Sequence, residues 1–133
     1  MTYLLDTSIC VEILRGRNPR LTQRLSRIEA GEACMSVVVQ SELRYGAAKS
    51  QHPSREAARL DALESAVSVV ALGPKAAAHY GALRAKLEKR GESIGPLDTL
   101  IAAQALALGL ILVSDNTREF KRVPGLKVEN WLT

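Results

Sequence analysis

The chain has 133 residues, 47% hydrophobic and 24% charged, which suits one ordinary domain with a real core and leaves no need for a second. The formal charge of +4 favours a polyanionic partner without establishing one. The two cysteines, Cys10 and Cys34, lack the C-x-x-C spacing of a zinc site and the density of a secreted disulfide scaffold. They read as small core hydrophobes in a reducing compartment. No secretory leader pattern and no apolar run long enough to cross a bilayer is present, so a cytoplasmic location with no membrane partner is expected.

In chain order, Tyr3-Leu4-Leu5 reads as a buried strand ending at Asp6, after which Thr7 and Ser8 offer N-cap hydroxyls to a helix carrying Ile9, Val11, Ile13 and Leu14. A carboxylate is thereby delivered to the C-terminal edge of a strand, where ligands bind in open parallel sheets. Taken alone, Asp6 reads more simply as a group that satisfies amides at the helix start. Gly16 is a fit stop for this helix and Pro19 a fit start for the next. There Leu21, Leu25 and Ile28 recur at helical spacing beside a basic face of Arg20, Arg24 and Arg27. Such a face is first a solvated surface and second an RNA-phosphate contact.

Ala33-Cys34-Met35 reads as a second strand and Ser36 as the cap of a helix running to about Lys49. Gln51 to Ser54 breaks it, and a helix from Arg55 to about Ala66 carries Leu60 and Leu63. Val67 to Leu72 is a strand candidate, Gly73-Pro74 a turn, and Lys75 to Arg90 an Ala-rich helix. After a loop from Gly91 to Gly95, Pro96 suits the first helical position; Leu97 to Leu108 is apolar nearly all round and must be buried, with Gly109 as its stop. Leu110 to Val113 is a continuous apolar strand of the kind covered on both faces. Ser114 to Glu119 is a polar loop, Phe120 a core residue and Leu126 to Val128 a last strand. Strands alternating with helices predict an α/β fold, a three-layer α/β/α domain over residues 1–133 with a mostly parallel central sheet.

The carboxylates carry the functional argument. Glu42 shares a helix face with Val38, Val39 and Tyr45, where a charge is costly unless something pairs with it. A partner arginine or lysine, or a place at the edge of the stripe, would be the structural explanation. Asp98, third in the Pro96 helix, complements the helix dipole, yet the start of so buried a helix should abut the sheet edge. Ser114, Asp115, Asn116 and Glu119 follow the Leu110 strand, where an Asx-turn is the plain reading.

Oxygen-rich side chains gathered at one sheet edge repel each other unless a cation sits among them. Magnesium or manganese suits such donors, and no histidine lies near them; His52 and His79 read as structural or surface groups. A metal held by carboxylates with open positions is how metal nucleases hydrolyse phosphodiesters.

Four segments in order, Leu4-Leu5-Asp6-Thr7-Ser8, Ser41-Glu42-Leu43-Arg44-Tyr45-Gly46, Ile94-Gly95-Pro96-Leu97-Asp98 and Val113-Ser114-Asp115-Asn116-Thr117-Arg118-Glu119-Phe120, together with Val123 to Leu126 and Glu129-Asn130-Trp131, resemble the PIN-domain ribonucleases, specifically the VapC toxins. The resemblance spans essentially the whole chain. It implies a PIN-like fold and an endoribonuclease cutting single-stranded RNA loops, with the tRNA anticodon loop, initiator tRNA included, as a candidate substrate. It implies that Asp6, Glu42 and Asp98 hold Mg²⁺, or Mn²⁺ in its place. The family's fourth acid is Asn116 here; Glu119 would supply the missing charge, Asp115 being a weaker substitute. Thr7, Ser8 and Ser114 would line the pocket with hydroxyls.

The same resemblance implies a VapB-type antitoxin, a homodimer and a toxin-antitoxin complex that binds its promoter DNA through the antitoxin. Two other readings compete. A catalytically inactive RNA-binding or repressor-complex module is opposed by the joint presence of Asp6, Glu42 and Asp98. A phosphatase with an Asp6 nucleophile would want an aspartate where Ser8 stands.

Overall fold

Apolar triplets with no polar face build the centre of the sheet, because strands covered on both sides gain from burying every side chain. The structure, a computed structural model, describes residues 1–133. Its elements are β1 (Tyr3–Leu5), α1 (Thr7–Arg15), α2 (Pro19–Ser26), β2 (Ala33–Ser36), α3 (Val37–Ala48), α4 (Pro53–Ala66), β3 (Ser68–Val70), α5 (Gly73–Lys89), α6 (Pro96–Leu108), β4 (Ile111–Val113), α7 (Thr117–Phe120) and β5 (Val128–Glu129).

All strand pairs are parallel, in the order β3-β2-β1-β4-β5. Leu5 stands in register with Met35 on one side and Val113 on the other. The chain steps outward from β1 through β2 to β3, then returns across the sheet to β4 and β5, so the order reverses between β1 and β4. That reversal opens a crevice beyond the strand ends, the usual ligand position in such sheets. Right-handed crossovers in the two opposite directions place α1 to α4 on one face and α5 to α7 on the other. The α/β/α layering expected from the sequence is therefore present, with the sheet wholly parallel.

Local chemistry explains the boundaries. Asn18 accepts from Leu21 N at 3.0 Å with Pro19 in the first turn of α2, and Ser36 Oγ accepts from Val38 N at 3.0 Å to start α3. Gly16 and Gly109 end α1 and α6 with φ of 64° and 65°, a conformation that favours glycine. Several expectations shift by a turn or less. Helix α4 begins at Pro53, because a first-turn proline loses no helical hydrogen bond, and α5 already includes Gly73 and Pro74, which shortens β3 to Ser68–Val70.

The expected polar loop after β4 winds into α7 at Thr117. The last strand is Val128–Glu129 and not Leu126 to Val128, since the turn at Val123 to Gly125 still holds Leu126 N on Val123 O. Helix α6 is buried through its middle but not all round: Leu97 and Leu108 at its ends are 45% and 46% exposed.

Phe120, Leu4, Leu5, Ile9 and Leu112 anchor one continuous core. Both cysteines are buried and form no disulfide, as expected of small core residues. The segment after β5 is pinned by Arg24, which donates to Glu129 Oε1 at 3.0 Å and lies over the rings of Tyr3 and Trp131 at 5.8 and 5.1 Å. No helix is long and apolar enough to cross a membrane.

Candidate active site at the sheet edge

The two strands flanking the reversal end in oxygen donors. Asp6 N donates to Val113 O at 3.1 Å, so β1 and β4 stop together and present Asp6 and Ser114 side by side. The cap of α1 is Asp6 itself, and the expectation that Thr7 or Ser8 would cap it is corrected. Asp6 has the extended backbone of a cap and its Oδ1 accepts from Ile9 N at 3.1 Å, while Thr7 and Ser8 are already helical. Their hydroxyls are thereby free to serve the pocket.

Ser8 Oγ lies 2.8 Å from Asp6 Oδ1 and 2.8 Å from Asp115 Oδ1. A hydroxyl carries one hydrogen, so it satisfies only one of two ionised carboxylates. The pair lacks a proton or a cation. Ser114, fully buried, accepts from Asn116 N at 2.9 Å and stands beside Asp6, whose carboxyl it helps to keep ionised. Burial pushes the Asp6 carboxyl up, Asp115 adds to the rise, and the bonds from Ser114, Ser8 and Ile9 N oppose it.

Glu42 arrives from α3, where Thr7 Oγ1 donates to its Oε1 at 2.9 Å. Tyr45, expected on the same buried face, is 66% exposed, which puts Glu42 at the border of the stripe. The possible arginine partner is spent elsewhere: Arg44 reaches Asp61 at 2.8 Å and also Glu64, both on α4. From the other layer, α6 brings Asp98 in its first turn. Burial first, then the carboxylates of Glu119, Asp6 and Glu42, push Asp98 up to about 6. Asn116 Nδ2 donates to Glu119 Oε2 at 3.1 Å, which turns Glu119 towards the same edge.

Asp6, Glu42, Asp98, Asp115 and Glu119 are thus brought into one neighbourhood, and none of the five forms an ion pair, although carboxylates elsewhere on the chain do. Asp115, the weaker substitute for the fourth acid by sequence, has its carboxylate held on Ser8 next to Asp6, and its place directly after Ser114 at the strand end is what brings it there. Cys10 lies within range of Asp6 but is no candidate ligand, since burial and that carboxylate push its thiol to about 12.

The expected three-carboxylate cage is not preformed: no three acidic, histidine or cysteine side chains stand as a ready metal-ligating set. The chemistry nevertheless fits a hard cation. The donors are oxygens only, they form no ion pair, and after burial the neighbouring carboxylates further raise Asp6 and Asp98. Thr7 and Glu42 also line a cleft of about 290 Å³ between α1, α3 and α4, together with Val11, Leu43 and Leu60 and with the charged Arg15, Glu56 and Arg59. Nothing in the sequence alone marked this cleft.

A doubly wound parallel sheet with unpaired acids at its reversal point defines a class, and comparison with known proteins agrees. The PIN domain family matches residues 3–126, and the chain belongs to that family. Within it the chain belongs with the VapC ribonucleases. It is 42% identical over 132 residues to Ribonuclease VapC2 of Haemophilus influenzae, covering 99% of each chain. It is 40% identical to the tRNA(fMet)-specific endonuclease VapC of Shigella flexneri, covering 98% of each. The crystal structure of VapBC2 from Rickettsia felis, bound to a DNA fragment from its promoter, superposes with a TM-score of 0.92 at 36% identity, over 98% of this chain and 99% of that one.

Proposed function

We propose that this chain is a Mg²⁺-dependent endoribonuclease, the toxin of a VapBC type II toxin-antitoxin pair, cutting a single-stranded RNA loop in the cytoplasm. The observation that carries the reading is the set of five unpaired carboxylates at the sheet edge, with Asp98 raised to about 6 by burial first and then by Glu119, Asp6 and Glu42. Asp6 and Asp98 would hold the ion directly or through water, with Glu42 and either Asn116 or Glu119 completing the set. When bound there, Mg²⁺, or Mn²⁺, neutralises the carboxylates and stabilises charge developing on the phosphate.

This chain's own groups do the rest. Glu42, steadied by the Thr7 hydroxyl, orients the attacking water and takes its proton. The water oxygen bonds to phosphorus, the P–O3′ bond breaks, and the leaving oxygen is protonated, giving a 5′-phosphate and a 3′-hydroxyl. Ser8 Oγ and Ile9 N keep Asp6 fixed through their hydrogen bonds to Oδ1.

The named activity of the Shigella flexneri relative makes initiator tRNA the candidate substrate, and its anticodon loop is a single-stranded target. The VapBC relatives with bound DNA support a VapB-type antitoxin as partner. Through it a complex would bind promoter DNA, with the toxin as a homodimer. The cleft that includes Glu42, part apolar and part charged, offers such an antitoxin a path towards the acidic residues.

The test is sequencing of RNA 5′-ends after brief induction in cells, paired with cleavage in vitro with Mg²⁺ and with chelator. Asp98→Asn serves as the cellular control and Asp6→Asn as the control in vitro. Asparagine caps a helix as well as aspartate does, so Asp6→Asn keeps the α1 start while removing the charge. One recurrent new end, lost in the control and in chelator, is expected. Full activity of Asp6→Asn would refute the proposal. RNA binding without any cleavage would instead favour an inactive binding module.

A further inference from the structure

An edge carrying five unpaired carboxylates repels the phosphates of an RNA, so the attraction for such a substrate has to come from cationic side chains outside it. Helix α2 supplies them. Arg20, Arg24 and Arg27 are spaced by four and three residues and share one side of the chain there. Arg24 is committed to structure through Glu129, Tyr3 and Trp131, which neutralises Glu129. Arg20 and Arg27 are exposed and pair with no carboxylate.

With Gln23 these residues border an open cleft of about 420 Å³ against Glu129, Asn130 and Trp131, roomy enough for a phosphate and its ribose. The cleft includes Glu129 of β5, the strand beside β4, which ends at the acidic edge. Glu129 lies in register with Val113, and its carbonyl accepts from Ser114 N at 2.9 Å, while Val113 O accepts from Asp6 N at 3.1 Å, so the strand end at Ser114 stands beside Asp6.

We propose that Arg20 and Arg27 form a phosphate-binding strip that grips the RNA backbone next to the phosphate placed at Asp6 and Asp98. The occupant is RNA because the surface offers charge and hydrogen-bond donors around a neutralised floor, and it sits one strand from the proposed reacting phosphate. The inference rests on the nuclease reading given above. Arg20 and Arg27 position the substrate and take no part in the chemistry, so their loss weakens binding and leaves turnover alone.

The experiment compares the full-length chain, Arg20→Ala/Arg27→Ala, and the charge-matched control Lys75→Ala/Lys86→Ala on exposed positions of α5. Binding of labelled bulk tRNA is followed by anisotropy in chelator over a series of KCl concentrations, and cleavage rates are measured with Mg²⁺. Two lost contacts at about 0.7 each on a single strand should lower the slope of log K against log salt by about 1.4. KM should rise several-fold, with kcat unchanged and the α5 control like the parent.

An unchanged slope and KM in the α2 variant, with the parent binding and cleaving normally, would overturn the strip and leave the nuclease reading standing. Loss of antitoxin affinity with RNA binding intact would also overturn it, assigning the face to a protein partner. A parent chain that neither binds nor cleaves RNA would remove the nuclease reading and this inference with it.

Discussion

Thr7 Oγ1 donates to Glu42 Oε1 at 2.9 Å, joining the first residue of α1 to the middle of α3 across 35 residues of chain. Because Asp6 takes the cap, the Thr7 hydroxyl is left to steer a carboxylate that has no cationic partner. Thr7→Val keeps the shape and removes the donor. Outer hydrogen bonds of this kind set the aim of the group they hold, and losing one costs roughly 10- to 100-fold in activity. We expect kcat for RNA cleavage to fall by about that much with a melting temperature close to the parent's, and Thr7→Ser to recover most of it. Parental kcat in Thr7→Val would show that Glu42 needs no such guide.

Gln104 ties the two layers together away from the site. It is fully buried on α6, and its Nε2 donates to Ala71 O at 2.9 Å and to Val70 O at 3.4 Å, closing the end of β3, while Oε1 stays buried without a partner. Gln104→Ala loses both donated bonds and leaves a void, a loss of about 2 to 4 kcal/mol. Gln104→Met keeps the volume and removes the unpartnered oxygen along with the bonds, so its cost should be nearer 1 kcal/mol. Urea unfolding at constant m-value would measure both. Equal losses in the two variants would mean that the donated bonds, and not packing, dominate at this position.

The fold was legible where local signals agree. The runs at Tyr3 to Leu5 and Leu110 to Val113, with Pro96 and Gly109 bracketing α6, locate the central strands and the buried helix to within a residue. What escaped depends on contacts distant in sequence. Asp6 capping its own helix could not be distinguished from Thr7 or Ser8 doing so until the strand end was fixed against Val113. The last strand slipped because Val123-Pro124-Gly125 looks like a turn from sequence but does not say how far the chain runs before it pairs with β4.

At the site, Asp6, Asp98 and Glu119 could be picked out singly as oxygen donors at or near element ends, and Glu42 as a charge on an apolar helix face. Their meeting follows from the order β3-β2-β1-β4-β5, which no local periodicity encodes. The family resemblance supplied that long-range information. The contact of Asp115 with Ser8 was not legible, since it depends on how tightly the turn after β4 closes.

Asp98 shows what the site does to stability. Its carboxyl rises from 3.8 to about 6, chiefly by burial and then by Glu119, Asp6 and Glu42. A carboxyl that binds its proton more tightly folded than unfolded favours the fold below pH 3.8, and that contribution is lost as pH climbs through about 6. At neutral pH the metal-free chain therefore carries a penalty at this residue. Asp98 is half-buried, and solvent screening brings that penalty down to about 1 kcal/mol.

Asp98→Asn removes the charge and should raise the melting temperature of the chelator-treated chain by roughly 3 to 5 °C at neutral pH, with the gain shrinking towards pH 4, while abolishing cleavage. Added Mg²⁺ should stabilise the parent far more than the variant, because an ion that binds only the folded chain adds to its stability. A melting series over pH with and without the ion tests this. A variant less stable than the metal-free parent at neutral pH would mean that Asp98 has a structural partner and is not held at this edge for the sake of an ion.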